Sequence, residues 1–512
     1  MVPNSELLFG PPGTGKTYTL IAEVEKALRD GVSPDRIGYV SFTKKAISEA
    51  LERARSQFKL EPKDLPWFRT LHSWGFNGLG ASHNDMMAQE DWFVLQDQTG
   101  MAFSGVSSVN PDDGMILPLS TFVKGDAYIR LIDRARYRMV PILKEYNESE
   151  AYDLNATILR RVHEEYNLYK SKMGKLDFVD MIEMYIQVGV PPHLDLLIID
   201  EAQDLTPLQW EMVKHIAPNA DRVIIAGDDD QAIHRWTGVD VNLFLNASKN
   251  IKILDQSYRM PISVHTLSQR IVKRIGQRQE KEFRPTDHEG RVDYHSSHRE
   301  LDMERGSWTL MARTNNMVRE WAAALRSDSH MVSVKGKSSV DQECAYALLT
   351  WERLRDGEGV DLGAVKQFYK HVRKQGDGAV VKRGAAGLLE AANPEAFLTW
   401  DNLSLQYGMK AEKHWDPYQV ARFGDGDRLY VQALRRRGED ITAQPRIKLS
   451  TFHRMKGGED DNCAVYCGTT PQSDIRTTKY PDDEHRAFYV GMTRAKQNLH
   501  IIQSPSRYRY EL

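Results

Sequence analysis

The sequence predicts an α/β protein built on parallel sheets that are flanked by helices. Short apolar strands alternate with longer amphipathic segments, and polar clusters follow several of the strands. Leu194–Asp200 and Arg222–Ala226 are apolar along their length rather than alternating, as expected of strands buried on both faces. Each is followed by an acidic cluster, and polar clusters at the carboxyl ends of strands are typical of doubly wound sheets.

The elements follow one another in a regular order from the N-terminus. A first strand, Glu6–Phe9, leads directly into the glycine-rich Gly10–Thr17, and a helix is predicted from Lys16 to about Asp30. A second strand, Ile37–Phe42, precedes a helix over Lys45–Phe58. The later predicted strands are Leu194–Asp200, Arg222–Ala226, Arg291–Tyr294, Trp308–Ala312, Met331–Val334, Ile447–Ser450, Cys463–Cys467 and Asn498–Ile502.

A chain of 512 residues is too long for a single hydrophobic core, so several domains are expected. Two stretches without strand periodicity interrupt the α/β pattern and are predicted to be largely helical insertions, with a loop over Gly100–Pro118. A polar stretch with Pro285 and Gly290 suits a hinge. The predicted limits are 1–76 and 176–276 for the first α/β domain, 77–175 for its insertion, 277–290 for the hinge, 291–335 and 446–512 for the second α/β domain, and 336–445 for the second insertion.

Composition narrows the class of protein without defining a ligand. Charged residues make up 27% of the chain and hydrophobic residues 41%, which is ordinary for a globular protein. The net charge of −3 is neutral evidence on nucleic-acid binding, because acidic and basic residues can gather at separate sites. The three cysteines, Cys344, Cys463 and Cys467, form neither a disulfide framework nor a zinc pattern. No run of eighteen apolar residues is present, so a cytoplasmic protein without membrane contact is expected.

The glycine-rich segment Gly10–Thr17, here called the phosphate loop, predicts a nucleoside triphosphate site. Its glycines let backbone N–H groups approach phosphates closely, and the following helix N-terminus adds partial positive charge. We expect Lys16 to reach the β- and γ-phosphates and Thr17 to ligate Mg²⁺. The match is specific because the segment follows a strand and opens a helix.

Asp200 and Glu201 are the predicted metal and base residues of the same site. Asp200 closes an apolar strand, where its carboxylate would meet a phosphate-bound Mg²⁺. Glu201 is the natural base to orient and deprotonate an attacking water. Adjacent acidic residues are often solvated surface, but the buried strand before this pair disfavours that alternative.

Three further residues are candidates for the terminal phosphate. Gln231 can bind the γ-phosphate through its side-chain amide and so distinguish the triphosphate from the diphosphate. Arg259 and Arg494 can neutralise the charge that develops on the transferred phosphoryl group. The ordinary alternative for each arginine is a surface salt bridge, and only the surrounding motifs favour the catalytic interpretation.

Taken together, the motifs resemble the UvrD/PcrA/Rep group of superfamily 1 DNA helicases. The resemblance extends over nearly the whole chain and is weak in the two insertions. The motifs that carry it are Gly10–Thr17, Ser41–Ala46, Thr70–Ser73, Asp200–Asp204, Gly227–Trp236, Gln256–Arg259, Ala312–Asn315, Ser450–Glu459 and Tyr489–Ala495.

The resemblance implies two RecA-like motor domains with ATP and Mg²⁺ in the cleft between them and single-stranded DNA running across both. ATP would contact the phosphate loop (Gly10, Pro11, Pro12, Gly13, Thr14, Gly15, Lys16 and Thr17). Tyr258 would stack on the adenine and Glu459 would bind the ribose. Arg259 and Arg494 would reach the γ-phosphate from the second domain.

The same resemblance implies the residues that contact DNA. Phe42 and Trp236 would stack on bases, and His72, Arg313 and His453 would lie near the strand. Core packing is the alternative for both aromatic residues. The implied movement is 3′→5′ along single-stranded DNA toward single/double-strand junctions, with replication or repair proteins as candidate partners.

Three departures from the family pattern bear on these expectations. Nine residues precede Gly10, so a glutamine-bearing adenine motif is not expected and base selectivity would rest on Tyr258. The second insertion, residues 336–445, is shorter than usual for the group. The sequence ends soon after its last predicted strand, so neither a C-terminal partner-binding extension nor a nuclease domain is expected.

Two other functions remain open on the sequence. The first is an ATP-dependent translocase or nucleoprotein-remodelling switch that does not separate strands, because it would use the same motifs. The second is a small-molecule kinase, which explains Gly10–Thr17 but leaves Trp236 and Tyr489–Arg494 without a role.

Overall fold

The computed structural model describes residues 1–41, 44–105, 123–149 and 153–512. Phe42, which is predicted to contact DNA, and most of the predicted loop Gly100–Pro118 lie outside the described residues. The chain divides into two units. Unit 1 comprises Met1–Gly290 and Ile475–Thr493, and unit 2 comprises Arg291–Asp474 and Arg494–Leu512.

Unit 1 contains a parallel sheet of six strands over the described residues, in the order β3-β2-β4-β5-β1-β6. Its strands are β1 Ser5–Phe9, β2 Ile37–Ser41, β3 Phe68–Arg69, β4 Leu194–Asp200, β5 Ala220–Gly227 and β6 Ile251–Ile253. Residues alternate between the two faces, so Leu197 and Ile199 join one apolar cluster while Leu196 and Ile198 join another. Burial of both faces explains why these strands have continuous apolar sequences.

The helices of unit 1 cover both faces of this sheet and form the first insertion. They are α1 Lys16–Arg29, α2 Lys44–Phe58, α3 Leu71–Gly78, α4 Gln89–Thr99, α5 Lys124–Tyr137, α6 Ile142–Glu148, α7 Ala156–Met173, α8 Phe178–Val188, α9 Pro207–Ile216, α10 Val241–Leu245 and α11 Ile262–Val272. Helices α4, α5 and α7 share an apolar core of their own, around Leu95, Ile132 and Val162. The first insertion is therefore helical, as predicted.

Unit 2 contains a second sheet, with seven strands among the described residues in the order β10-β9-β13-β8-β14-β15-β7. Its pairings are parallel apart from the antiparallel β9–β10 pair at one edge. These strands are β7 Arg291–His295, β8 Trp308–Ala312, β9 Val332–Val334, β10 Lys337–Ser338, β13 Ile447–Thr451, β14 Asp460–Tyr466 and β15 Ala495–Ile502, while β11 Val360–Asp361 and β12 Phe397–Leu398 pair separately. Parallel sheets flanked by helices in both units confirm the predicted fold class.

The helices of unit 2 include those of the second insertion. In chain order they are α12 Asn315–Ser327, α13 Gln342–Arg355, α14 Leu362–His371, α15 Ala385–Leu388, α16 Trp400–Leu405, α17 Pro417–Val420, α18 Asp425–Arg436 and α19 Phe452–Met455. The insertion has a separate core around Trp351, Phe368 and Leu434. The division between the units falls within helix α20, Pro471–Lys479, between Asp474 and Ile475.

Helix α21, Pro481–Met492, belongs to unit 1, although the sequence places it in the second α/β domain. The carboxylate of Asp482 accepts hydrogen bonds from the backbone N–H groups of Gly276 and Gln277, each at 2.9 Å. Arg486 donates to the backbone carbonyl of Asp229 at 2.9 Å. These contacts explain why the segment groups with unit 1.

The predicted hinge, residues 277–290, is hydrogen-bonded along unit 1, whose boundary falls after Gly290. Arg284 donates its N–H to Asp255 at 2.7 Å and accepts one from Ser257 at 2.8 Å. The hinge role and the exact domain limits stay predictions. No helix in the described part of the chain is long and apolar enough to cross a membrane.

Candidate nucleotide site and strand-contact residues

The phosphate loop turns sharply between β1 and α1. Gly13 and Gly15 have φ angles of 75° and 76°, in the left-handed region that favours glycine. Gly10 donates its N–H to Gly227 at 2.9 Å, which ties the loop to the end of β5. Among the described side chains, none caps the N-terminus of α1, so its first N–H groups face the loop. This is the local geometry that an anionic phosphate requires.

The segment Ser257–Arg259 packs directly on the phosphate loop. Ser257 donates its hydroxyl to Pro12 at 2.8 Å, and Tyr258 donates its N–H to Gly13 at 2.8 Å. A Cβ atom on Gly13 would lie under 3.0 Å from Arg259 Cβ and from Ser257 Oγ. Glycine is therefore needed at position 13 for this contact as well as for the turn.

Arg259 consequently corrects one expectation. The prediction that it reaches the nucleotide from the second domain is wrong, because Arg259 lies in unit 1 beside the phosphate loop. The physical reason is the sheet: β6 pairs with β1, so the residues that follow β6 emerge next to those that follow β1.

Lys16, Asp200 and Glu201 converge at the carboxyl edge of the unit 1 sheet. Lys16 Nζ forms an ion pair with Asp200 Oδ1 and lies 2.5 Å from Glu201 Oε1. The hydroxyl of Tyr39 donates to Asp200 Oδ2 at 3.0 Å. Burial opposes the charged form of Lys16, but the two carboxylates outweigh it and raise the pKa of this ammonium group. Lys16 is therefore held as a cation at neutral pH.

Glu201 has a left-handed backbone, with φ of 53°, which is uncommon for a residue with a side chain. Its Oε2 accepts a hydrogen bond from Gln203 Nε2 at 2.6 Å, and Gln203 Oε1 accepts the backbone N–H of Asp228 at 3.0 Å. Gln231 Nε2 donates to Asp228 Oδ2 at 2.7 Å. A hydrogen-bonded path thus joins the predicted base, Glu201, to the predicted phosphate sensor, Gln231.

Other predicted nucleotide residues lie as follows. Thr17 occupies the first turn of α1. Tyr258 is 76% exposed, and its ring atoms lie 3.9 Å from the position of a Cβ on Gly15. In unit 2, Arg494 is buried and donates to Gly458 at 3.3 Å, while Glu459 is exposed in the loop before β14.

The residues predicted to contact DNA fall in both units. Arg313 follows β8 and His453 lies in α19 after β13, so both occupy the carboxyl edge of neighbouring strands in unit 2. Trp236 is half-buried against the unit 1 core. His72 is only 6% exposed, and its Nε2 lies 2.8 Å from the Tyr137 hydroxyl. Burial lowers the pKa of His72 to about 4, so the side chain is neutral at pH 7, and its low exposure leaves little surface for contact with a base.

Possible metal ligands occur at two further places in the described chain. Asp228, Asp229 and Asp230 present oxygens within 4.8 Å of one another, but Lys281 occupies the space among them. Asp293, His295 and His500 form the other group, in which the two histidine rings are joined by a 3.0 Å hydrogen bond. Neither includes Thr17 or Asp200, the predicted Mg²⁺ ligands.

Sequence reasoning did not assign roles to Tyr39, Gln203, Ser257 and Lys281. Gln203 and Ser257 stand inside motifs that were recognised, so their position was a usable signal. Tyr39 and Lys281 carry no local pattern, because their partners Asp200 and Asp228 are distant in sequence.

Comparison with known proteins adds two family matches. Residues 3–252 match the UvrD/REP helicase N-terminal domain and residues 430–506 match the UvrD-like helicase C-terminal domain. Between them the two matches contain the phosphate loop, Glu201, Gln231 and Arg494, whereas Tyr258 and Arg259 fall outside both.

Curated relatives match about half of the chain. A probable DNA helicase II homolog of Mycoplasma capricolum is 25% identical over 299 residues, which is 53% of this chain and 39% of that protein. The ATP-dependent DNA helicase PcrA of Staphylococcus aureus is 24% identical over 292 residues, 54% of this chain and 39% of the relative. The matched region thus spans well under half the length of these relatives.

Among solved structures, the helicase nonstructural protein 10 of an arterivirus aligns over 98% of this chain and 61% of its own, at 12% identity and a TM-score of 0.35. The two domain models, in the order that the motifs predict, show that the chain belongs to the UvrD-like helicase family.

Proposed function

We propose that the protein is an ATP-dependent DNA helicase that translocates 3′→5′ on single-stranded DNA and separates strands at single/double-strand junctions. The observation that carries the proposal is the convergence of Lys16, Asp200 and Glu201 beside the phosphate loop, in a chain of this family. Replication or repair proteins are the partners that such an activity would serve.

The phosphate loop fits the triphosphate of ATP. Gly13 and Gly15 adopt the left-handed backbone that the turn requires, and the uncapped start of α1 offers its first N–H groups and partial positive charge to phosphate oxygens. Lys16 supplies a full positive charge for the β- and γ-phosphates. Tyr258, exposed beside Gly15, is proposed to stack on the adenine, and Glu459 to bind the ribose.

Thr17 and Asp200 are the proposed Mg²⁺ ligands, since a hydroxyl and a carboxylate oxygen suit this hard cation. Bound Mg²⁺ would neutralise phosphate charge. Asp200 is also held by Tyr39, which fixes the orientation of the carboxylate. The lysine proposed to bind phosphate and the aspartate proposed to bind Mg²⁺ are therefore neighbours within unit 1 itself.

Glu201 is the proposed base that orients and deprotonates the attacking water. Gln203 holds its carboxylate through Oε2, so Glu201 is oriented by a fixed neighbour. Gln231 is proposed to sense the γ-phosphate, while Arg259 and Arg494 neutralise the charge that develops during transfer.

DNA is proposed to be held by stacking and by charge. Base stacking on aromatic side chains tolerates any sequence and contributes about 1–3 kcal/mol per base. Trp236 is only partly buried and is the residue proposed to stack on a base. Arg313 and His453, which follow the neighbouring strands β8 and β13, are proposed to contact the DNA strand from one edge of the unit 2 sheet. The buried His72 is proposed to position Tyr137 instead of touching the strand.

The test of this function is Glu201→Gln, which keeps the shape of the side chain but removes the base. Binding of a non-hydrolysable ATP analogue should be retained, because Lys16 and Asp200 remain paired. DNA-stimulated ATP hydrolysis should fall by about 100-fold or more, the usual contribution of a positioned base.

Glu211→Gln is the matched control, since Glu211 lies on α9 in an exposed pair with Lys214. It should hydrolyse ATP at the rate of the unaltered protein. Undiminished hydrolysis by Glu201→Gln would contradict the proposed role of Glu201.

A further inference from the structure

Three consecutive carboxylates, Asp228, Asp229 and Asp230, follow β5 and are almost wholly buried, with exposed fractions of 1%, 0% and 1%. We call them the acidic loop. Buried carboxylates carry a large desolvation penalty unless they are paired. A set of adjacent buried charges therefore needs cations from elsewhere in the fold.

The cations come from the segment after α11. Lys281 Nζ lies 3.2 Å from Asp228 Oδ1 and 2.9 Å from Asp230 Oδ2, and it is also paired with Asp229. The side chain of Lys281 is 1% exposed. Burial opposes its charge, but the three carboxylates outweigh burial and raise the pKa of Lys281. Arg278 adds a two-pronged pair to Asp230, with both N···O distances at 2.8 Å.

The acidic loop leads from Lys281 to the hydrolytic residues. Asp228 uses one carboxylate oxygen for Lys281 and the other to accept a hydrogen bond from Gln231. Its backbone N–H donates to Gln203, which in turn holds Glu201. Lys281 is thus linked to Gln231 through Asp228, and to Glu201 through Asp228 and Gln203.

We propose that Lys281 is a positioning residue that fixes the Gln231 amide, through Asp228, in the orientation that detects the γ-phosphate. The inference rests on the proposed function and deepens it, because it adds a residue outside the helicase motifs. Replacing a whole buried ion cluster by apolar groups often leaves stability unchanged. The charged cluster differs from an apolar one in that it holds the Asp228 carboxylate, and with it the Gln231 amide, in one orientation.

The first test variant is Lys281→Met, which removes the charge and keeps the length. The quantity to measure is the ratio of the affinity for a non-hydrolysable ATP analogue to the affinity for ADP. This ratio should fall by about tenfold, because the hydrogen bond between the Gln231 amide and the charged γ-phosphate is lost. Affinity for ADP itself should not change, because ADP lacks the γ-phosphate. Adding Gln231→Ala to this variant should lower the ratio no further, as expected for two residues acting in series.

Removing a buried lysine that pairs with three carboxylates risks misfolding, so a second variant carries the same test. Lys281→Met with Asp229→Asn removes one charge of each sign and leaves the Asp228 and Gln231 side chains unaltered, but without the lysine that holds the Asp228 carboxylate. Asp229 contacts Lys281 and the backbone of Gln279 but not Gln231. The ratio of affinities should fall in this variant as well.

Lys170→Met is the matched control for a purely structural effect. Lys170 is also a buried lysine, with Nζ 2.5 Å from Asp177 and 2.7 Å from Asp180 in the first insertion. Its loss should lower the melting temperature and leave the ratio of affinities unaltered.

Two results would count against the inference in different ways. A folded Lys281 variant that keeps the full preference for the ATP analogue, while Gln231→Ala loses it, would overturn the positioning role alone. If the unaltered protein showed no such preference and hydrolysed no ATP, the proposed function would fall and the inference with it.

Discussion

At the scale of single residues, the candidate site depends on backbone positions as much as on charged side chains. Gly13 combines a left-handed backbone with a close approach to Ser257 and Arg259. Glu201 adopts a similar conformation without being glycine, held by its contacts to Lys16 and Gln203. Strained positions of this kind cluster where geometry matters for function.

Gly13→Ala should therefore weaken nucleotide binding. A left-handed alanine costs about 1 kcal/mol, and its Cβ would force the loop or the Ser257–Arg259 segment to move. We expect the dissociation constant for ADP, measured by calorimetry, to rise at least about tenfold, equivalent to about 1.4 kcal/mol.

The control for this change is Gly31→Ala, after α1. Gly31 also has a left-handed backbone, with φ of 88°, but no atom lies within 4 Å of a Cβ there. It should lose some stability and bind ADP normally. Equal weakening of binding by both variants would show that strain alone, without the contact, explains the effect.

At the scale of elements, α3 packs against α8 with glycines at the contact. A Cβ on Gly75 would lie under 3.0 Å from the backbone oxygen of Met181, and one on Gly78 would meet the Tyr185 ring. Trp74 donates its indole N–H to the Tyr185 hydroxyl at 3.1 Å across the same contact. Two small residues on one helix face thus set the distance between the helices.

Gly75→Ala should be destabilising, which reverses the usual gain from replacing glycine inside a helix. The obstructing atom is backbone, so the helices must separate, and overpacking of this kind costs about 1–3 kcal/mol. Urea unfolding should show the loss. Gly387→Ala in α15, where a Cβ meets nothing within 4 Å, should be neutral or stabilising. A Gly75→Ala protein as stable as its parent would show that α3 and α8 can separate without a cost in stability, which contradicts the prediction.

Elements with a strong local signal were predictable from the sequence. Leu194–Asp200 begins and ends where expected, because a short run of branched apolar residues that ends in an acidic cluster is typical of a buried strand. Two-residue strands such as β11 and β12 have no period to detect. The roles of Lys281 and α21 were not predictable either, since their partners are separated by about 50 and 250 residues, respectively.

At the scale of the whole molecule, the described residues form a six-stranded parallel sheet in unit 1 and a seven-stranded, mainly parallel sheet in unit 2, and the chain belongs to a helicase family. The sheets correspond to the two RecA-like motor domains of that family. The proposed nucleotide residues Lys16, Asp200 and Glu201 belong to unit 1, whereas Arg494 belongs to unit 2. Coupling hydrolysis to movement requires that ATP favour one arrangement of such units over another.

The corresponding prediction concerns strand polarity. A duplex with a 3′ single-stranded DNA tail should be unwound with ATP, whereas the same duplex with a 5′ tail should not. Strand separation can be followed by release of a labelled strand, with RNA tails tested in parallel.

The outcome also separates the alternatives. Hydrolysis stimulated by DNA without strand release from either duplex would favour a translocase or remodelling switch. An ATPase insensitive to every polynucleotide would favour a small-molecule kinase. Unwinding from the 5′ tail alone would contradict the proposed direction.

The grouping of residues 475–493 with unit 1 has a consequence for biosynthesis. An N-terminal domain commonly folds on the ribosome while later sequence is still being made. Here α21 supplies Arg486 and Asp482 to unit 1 from near the end of the chain. The contacts that α21 makes within unit 1 can therefore form only after residues 291–474 of unit 2 have been translated.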